Sequence, residues 1–163
     1  MTTLIFTVPG PPQGKARHRT GKGHSYTPAK TVAYQNLIKN SFLEQCCKKI
    51  PGHDFYGLVV PAGPVALECV AYYPRPKSHF DKAGLKPDAP YWPLLKPDFD
   101  NVAKVIADSL NGLAYRDDKQ VIDAHCLKVY QLPGCAPCVR VTVVLMDAET
   151  VGEHKKKMEE HVC

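Results

Sequence analysis

The sequence predicts a single small domain of the mixed α/β class, a mixed sheet flanked by helices. Three observations predict it. The chain has 163 residues, the size of one domain with a real core. Four segments are rich in branched and aromatic side chains, as strands are. Two longer segments place apolar residues at helical spacing and end at Pro-Gly or Asn-Gly. Hydrophobic residues make up 44% and charged residues 23%, ordinary globular usage that excludes wholesale disorder. No stretch approaches the roughly 18 apolar residues of a membrane span, and the N-terminal segment lacks the basic and long apolar regions of a secretory leader. A cytoplasmic protein is expected.

Residues 3–8 read as a strand closed by Pro9-Gly10-Pro11-Pro12. From Gly14 to Pro28 glycine and basic residues dominate, the composition of a mobile loop. Thr27 as a cap and Pro28 in the first helical position open a helix to about Lys48, with Val32, Leu37, Ile38, Phe42 and Leu43 as its apolar side. Residues 64–73 form a strand with Val65, Leu67, Cys69 and Ala71 on one face and Glu68 solvated on the other. Residues 74–97 read as a long structureless connection, rich in proline and lysine. A second helix starts near Asp98 to Asn101 and stops at Asn111-Gly112, with Val102, Val105, Ile106 and Leu110 turned to the core. Two strands follow, about 120–130 and 138–146, joined by the Leu132-Pro133-Gly134 turn. The domain therefore spans residues 1–146, and 147–163 form a charged tail or terminal helix.

Net charge is +5 with a pI near 8.8, compatible with a polyanionic partner but too modest to establish one. The charge is gathered into two runs. Lys15, Arg17, His18, Arg19, Lys22 and His24 occupy the glycine-rich segment; Arg75, Lys77, His79, Lys82, Lys86 and Lys96 occupy the long connection. Both runs suit phosphate contact, and both equally suit solvated loops. Seven cysteines without a secretory leader point to reduced thiols. Cys135-Ala-Pro-Cys138 has zinc spacing but no second ligand pair, which favours a turn between strands.

Five aspartates, Asp98, Asp100, Asp108, Asp117 and Asp118, lie within 21 residues. Like charges so close in sequence need a shared cation or separate solvation. Aspartates one residue apart at a loop-to-helix junction suit a hard ion such as magnesium or manganese. On that reading Asp98, Asp100 and an aspartate of the Asp117-Asp118 pair converge on the metal, and the chemistry is phosphodiester hydrolysis. Lys104, a turn beyond Asp100, would set its ammonium beside the phosphate. Taken singly the same residues have plainer roles: Asp98 as a helix cap, Asp100 as a first-turn acid paired with Lys104, Asp117-Asp118 as a turn.

The run Lys-Pro-Asp-x-Asp-Asn-x-x-Lys-x-x-x-Asp-x-Leu-Asn-Gly from Lys96, followed by Asp117-Asp118-x-Gln120-Val121, resembles the signature of the RusA family of phage and bacterial crossover-junction endodeoxyribonucleases. The N-terminal strand ending in Pro-Gly-Pro-Pro and the segment Pro74-Arg-Pro-Lys-Ser-His79 resemble phage-type members, so the likeness covers most of residues 4–146. It implies catalytic aspartates at Asp98, Asp100 and Asp118, a catalytic lysine at Lys104, and Asp117 as a further ligand or a supporting residue. It also implies a mixed α/β homodimer, dependent on Mg2+ with Mn2+ able to substitute, that nicks opposing strands of a four-way (Holliday) DNA junction. Lys15, Arg17, Arg19, Lys22, Arg75, Lys77 and Lys96 are then the expected DNA-binding residues, contacting phosphates without reading bases. Two other readings stay open at this level: a catalytically silent protein that binds branched DNA, and a nuclease acting on flaps or forks. The connection at 74–96 and the cysteine-bearing turn depart from the shorter members.

Overall fold

The computed structural model describes residues 2–16, 19–21, 24–47, 63–147 and 151–152. Its centre is a four-stranded sheet built from β1 (Thr2–Pro9), β4 (Val65–Tyr73), β7 (Val121–Tyr130) and β8 (Cys138–Leu145), in the order β1-β8-β4-β7. β8 runs antiparallel to both β1 and β4, whereas β4 and β7 are parallel. The parallel pair needs a crossover, and helix α2 (Phe99–Leu110) provides it. A bulge between Val65 and Ala66 shifts the parallel register so that Ile122 is skipped.

Period-two alternation places Val65, Leu67, Cys69, Ala71 and Tyr73 of β4 in the core, beside Val139, Val141 and Val143 of β8 and Phe6 and Val8 of β1. Glu68, on the opposite face, is exposed. Helix α1 (Ala29–Cys46) lies against β1, with Phe42 edge-on to Phe6 at 5.4 Å between ring centres. Helix α2 packs beside α1 and over β4 and β7, burying Val102, Val105, Ile106 and Leu110 as its spacing requires.

Several expectations are corrected. Of the apolar side expected for α1, Ile38 and Phe42 are buried and Leu37 and Leu43 pack partly buried against the core, but Val32 is exposed, and Thr31, Tyr34 and Ser41 complete the buried side without an apolar signal. Pro28 is the N-cap of α1 in place of Thr27, and the proline side chain forms no capping bond. The glycine-rich segment holds a small hairpin, β2 (Arg19–Gly21) with β3 (His24–Tyr26). The connection at 74–97 is not structureless: it carries a 3-10 turn at Lys77–His79 and a hairpin of β5 (Phe80–Asp81) and β6 (Gly84–Leu85).

The edges of the sheet differ. At β1, Gln45 closes the outer side by accepting from Thr7 N at 2.9 Å and donating to Thr7 O at 2.8 Å. At β7, no strand of the described residues pairs with the outer edge. The segment 91–95 reaches only its far end, where Tyr130 N donates to Tyr91 O at 3.0 Å and Lys128 Nζ donates to Leu95 O at 2.5 Å.

Candidate active site and phosphate-binding groove

Asp98 occupies the N-cap of α2 with extended backbone angles, and its carbonyl accepts the first helical bond from Val102 N at 3.2 Å. Its carboxylate makes no capping bond, so it is held at the helix N-terminus without being used there. Asp100 sits in the first turn, where the helix dipole favours a negative charge, and Asn101 Nδ2 approaches its Oδ1 at 3.5 Å. Tyr73 Oη donates to Pro97 O at 3.0 Å and pins this junction to the end of β4. Burial pushes the Tyr73 hydroxyl well up, with Asp98 among the smaller causes. Burial likewise raises the Cys126 thiol of β7, and Asp100 adds to the effect. Lys104 is exposed and, among the described residues, forms no ion pair; the plain Asp100 to Lys104 partnership does not form.

Residues 12–16 fold across this helix terminus. Lys15 N donates to Asn101 O at 3.0 Å, and Lys15 Nζ forms an ion pair with Asp108, farther along α2. The approach is close enough that a Cβ at Gly14 would stand 2.7 Å from Pro97 Cβ and 3.0 Å from Asn101 Cβ. Only glycine fits. Between this segment, the start of α1 and the start of α2 lies an open groove of about 750 Å³. Asp98 lines it together with Gln13, Lys30, Lys96 and Asn101. Lys15 also lines it, but its ammonium is drawn to Asp108, which leaves Lys30 and Lys96 as the exposed cations beside the carboxylate.

The expected DNA-binding residues are placed unevenly. Lys15 and Lys96 reach the groove, and Lys77 is exposed on its 3-10 turn. Arg17 and Lys22 lie outside the described residues, and for Arg19 only the backbone is described. Arg75 is engaged within the protein. Its guanidinium donates to Gln131 O and Pro90 O, each at 2.8 Å, lies 3.3 Å from His79 Nδ1 and stands over the Tyr130 ring. It thus fastens the 74–97 connection to the end of β7. Sequence reasoning did not assign Gln13, Gly14 or Lys30 to the site: Gln13 and Gly14 carry no charge although they directly precede Lys15, and the signal for Lys30 was its place in the opening turn of a helix directly after a basic loop.

The second acidic pair stands elsewhere. Asp117 caps the 3-10 turn Asp118–Gln120: its side chain accepts from Lys119 N at 3.0 Å, and Gln120 Oε1 accepts from Asp117 N at 3.2 Å, a reciprocal capping box. The Lys119 amide holds the Asp117 carboxyl below its ordinary range. Its oxygens therefore serve the turn, while Asp118 is exposed. Gln120 Nε2 donates to Gly63 O at 2.7 Å, which fixes this turn beside the start of β4. Asp98 lies beside the end of β4, at the opposite pole of α2. The convergence expected for Asp98, Asp100 and Asp118 is thus not found within one chain, and among the described residues no trio of aspartate, glutamate, histidine or cysteine is close enough to hold a metal ion. A strand-helix-strand crossover requires this separation, because the residues before and after the helix sit at opposite ends of the strands. Among the described residues, Asp98 and Asp100 are the carboxylates at the N-terminus of α2.

A family model described as Endodeoxyribonuclease RusA matches residues 9–144, from the end of β1 through β8 and across all these acids. The chain is also similar to the uncharacterised protein YqaN of Bacillus subtilis (strain 168), with 33% identity over 137 residues, 80% of this chain and 89% of that protein. Given a model match over well more than half of its length, this chain belongs to the RusA endodeoxyribonuclease family.

Proposed function

We propose that this protein is a divalent-metal-dependent endonuclease that nicks four-way DNA junctions, with Asp98, Asp100, Asp118 and Lys104 as its catalytic residues. The observation that carries the reading is the groove at the N-terminus of α2, where the uncapped Asp98 carboxylate stands among exposed lysines. A lone acid in a cationic groove suits a phosphodiester, whose negative charge the lysines offset while the acid faces the reacting atoms.

Lys30 and Lys96 take the phosphates on either side of the scissile bond, which makes affinity fall steeply with salt. Lys104 sets its ammonium one turn from Asp100, toward the charge that develops in the transition state. Asp98 and Asp100 would hold the magnesium or manganese ion, which when bound would supply an activated water and offset charge on the phosphoryl oxygens. Because a four-way junction has two equivalent strands to cut, the working unit is a homodimer with its sites related by a two-fold axis.

The test compares wild type and Asp100→Asn on a synthetic four-way junction, a flap, a fork and linear duplex, with magnesium or manganese. Paired nicks in the junction by wild type alone are expected. Equal cleavage by both proteins would remove Asp100 from the chemistry. Binding without nicking under either metal would make the protein a silent junction binder, and preferential cutting of the flap or fork would reassign its substrate.

A further inference from the structure

The chain holds a single tryptophan, and it stands half in solvent. Trp92 is 54% exposed, Tyr91 beside it 52% and Leu94 98%. Scattered apolar side chains are ordinary on a surface, but three within four residues on a fixed segment form a patch. The segment is indeed held. Pro93, between Trp92 and Leu94, is buried. Tyr91 O accepts from Tyr130 N at 3.0 Å, and Leu95 O accepts from the Lys128 ammonium. Prolines at 90, 93 and 97 restrict the backbone further. The rings of Tyr91 and Trp92 meet edge to face with centres 4.6 Å apart, so each limits the other's rotation.

This ridge joins the groove. Residues 96–98 line the groove, and they follow Leu95 directly. Tyr73 ties the two together: its hydroxyl donates to Pro97 O, and the Lys128 ammonium that holds Leu95 O stands 5.2 Å from its ring centre. The surroundings select the occupant. Interfaces between proteins are depleted of lysine, whereas this ridge is flanked by Lys96 and Lys128, with Lys77 and Lys82 exposed on the same connection. Apolar rings among cations suit a nucleic acid, whose bases offer flat faces and whose phosphates offer charge.

Only some DNA offers those faces. In linear duplex each base is covered by its neighbours, whereas a branch point interrupts the stack. The lysines of the groove meet phosphates, which all DNA carries, and phosphate contacts hold no information about branching. Discrimination needs a group that meets what a branch alone exposes.

We propose that Tyr91, Trp92 and Leu94 form a stacking platform for bases unstacked at the branch point, with Leu94 as an apolar wedge between them. The proposal rests on the reading that this protein acts on branched DNA. It assigns the preference for such DNA to the 74–97 connection, while the acids at the start of α2 act on the strand held beside it.

The experiment titrates the full-length protein with a synthetic four-way junction and with linear duplex of the same length, without divalent metal so that no strand is cut. Emission of Trp92 is followed, and affinity is read by anisotropy of the labelled DNA. Wild-type emission should fall with the junction, as a base stacks on the indole, and change little with the duplex. Trp92→Ala and Leu94→Ala should each weaken junction binding by about 10-fold while leaving duplex binding within about 2-fold. Trp92→Phe, which keeps a stacking ring, should return to within about 3-fold of wild type. Equal losses on junction and duplex overturn the platform. Wild-type emission that the junction leaves unchanged also overturns it, and this measurement holds even if a substitution disturbs folding. A Trp92→Ala chain that sediments in a different oligomeric state from wild type makes the ridge an interface between copies and overturns the platform as well. Nicking of the junction with manganese is read in parallel on wild type. Nicking without quenching overturns the platform and leaves the nuclease reading standing; quenching without nicking supports the platform and overturns the catalytic reading.

Discussion

The contact between the N-terminal segment and α2 makes Gly14→Ala a sharp probe of the groove. Carbon atoms in ordinary contact stand about 3.5–4.0 Å apart. The added methyl would stand 2.7 Å from Pro97 Cβ and 3.0 Å from Asn101 Cβ, so the segments must separate by about 1 Å. Forcing one methyl into a closed contact costs about 1–3 kcal/mol. The neighbours to be moved are a proline ring and the first turn of α2, neither of which swings aside as a long side chain does. The least costly escape breaks the bond from Lys15 N to Asn101 O, worth about 1 kcal/mol net, and lifts residues 12–16 off the helix. Urea unfolding should show a loss of about 1–3 kcal/mol, or, if the segment lifts alone, a smaller loss. Either way, fluorescence anisotropy on a labelled junction should report affinity weakened by about 5-fold or more, as the groove loses one wall. A variant that keeps both the wild-type urea midpoint and the wild-type affinity refutes the closed contact.

Tyr73→Phe removes the donor to Pro97 O from a buried tyrosine and should cost about 1 kcal/mol in thermal or urea unfolding, with a larger proportional drop in nicking because the Asp98 junction loses its tether. Lys30→Ala should lower junction affinity and reduce the slope of log affinity against log salt by about 1, whereas an exposed lysine far from the groove, such as Lys39, should leave that slope unchanged. Ile38→Ala, at a fully buried position of α1, should destabilise by about 2–5 kcal/mol without altering the metal dependence of nicking. The Asp117 cap sets a pH response: because its folded value lies below the unfolded one, the stability it contributes is present above the unfolded value and is lost as pH falls through the folded value. Protection of the Lys119 amide from hydrogen exchange, taken relative to its intrinsic rate at each pH, should fall across that acidic window in wild type and change little in Asp117→Asn.

The strands β4, β7 and β8 and the core side of α2 were legible in sequence because period-two and 3.6-residue patterns of Val, Leu and Ile survive without tertiary context. The inward side of α1 was less so, since Thr31, Ser41 and Tyr34 are buried by the neighbours they meet and carry no apolar signal of their own. Hairpins of two- and three-residue strands, β2 with β3 and β5 with β6, are too short for any period to show. The motif chemistry identified the acids but not their separation, which is a property of topology: Asp98 and Asp118 are twenty positions apart in sequence with a helix between them, and the parallel pairing of β4 with β7 sends them to opposite poles. Arg75 looked like a phosphate ligand because charge can be read from sequence, whereas the carbonyls of Pro90 and Gln131 that capture it cannot.

The rigidity of α2 turns its length into a gauge. Its apolar side is locked into the core at Val102, Val105, Ile106 and Leu110, so the helix can neither slide nor rotate independently of the sheet. Inserting a single residue between Ala103 and Asp108 would swing one terminal acid group by about 100° relative to the other and lengthen the span by about 1.5 Å. Side-chain flexibility does not absorb such a change. Loops elsewhere in the chain can grow or shrink, but the spacing between the two ends of α2 is held by the helix packed into the core.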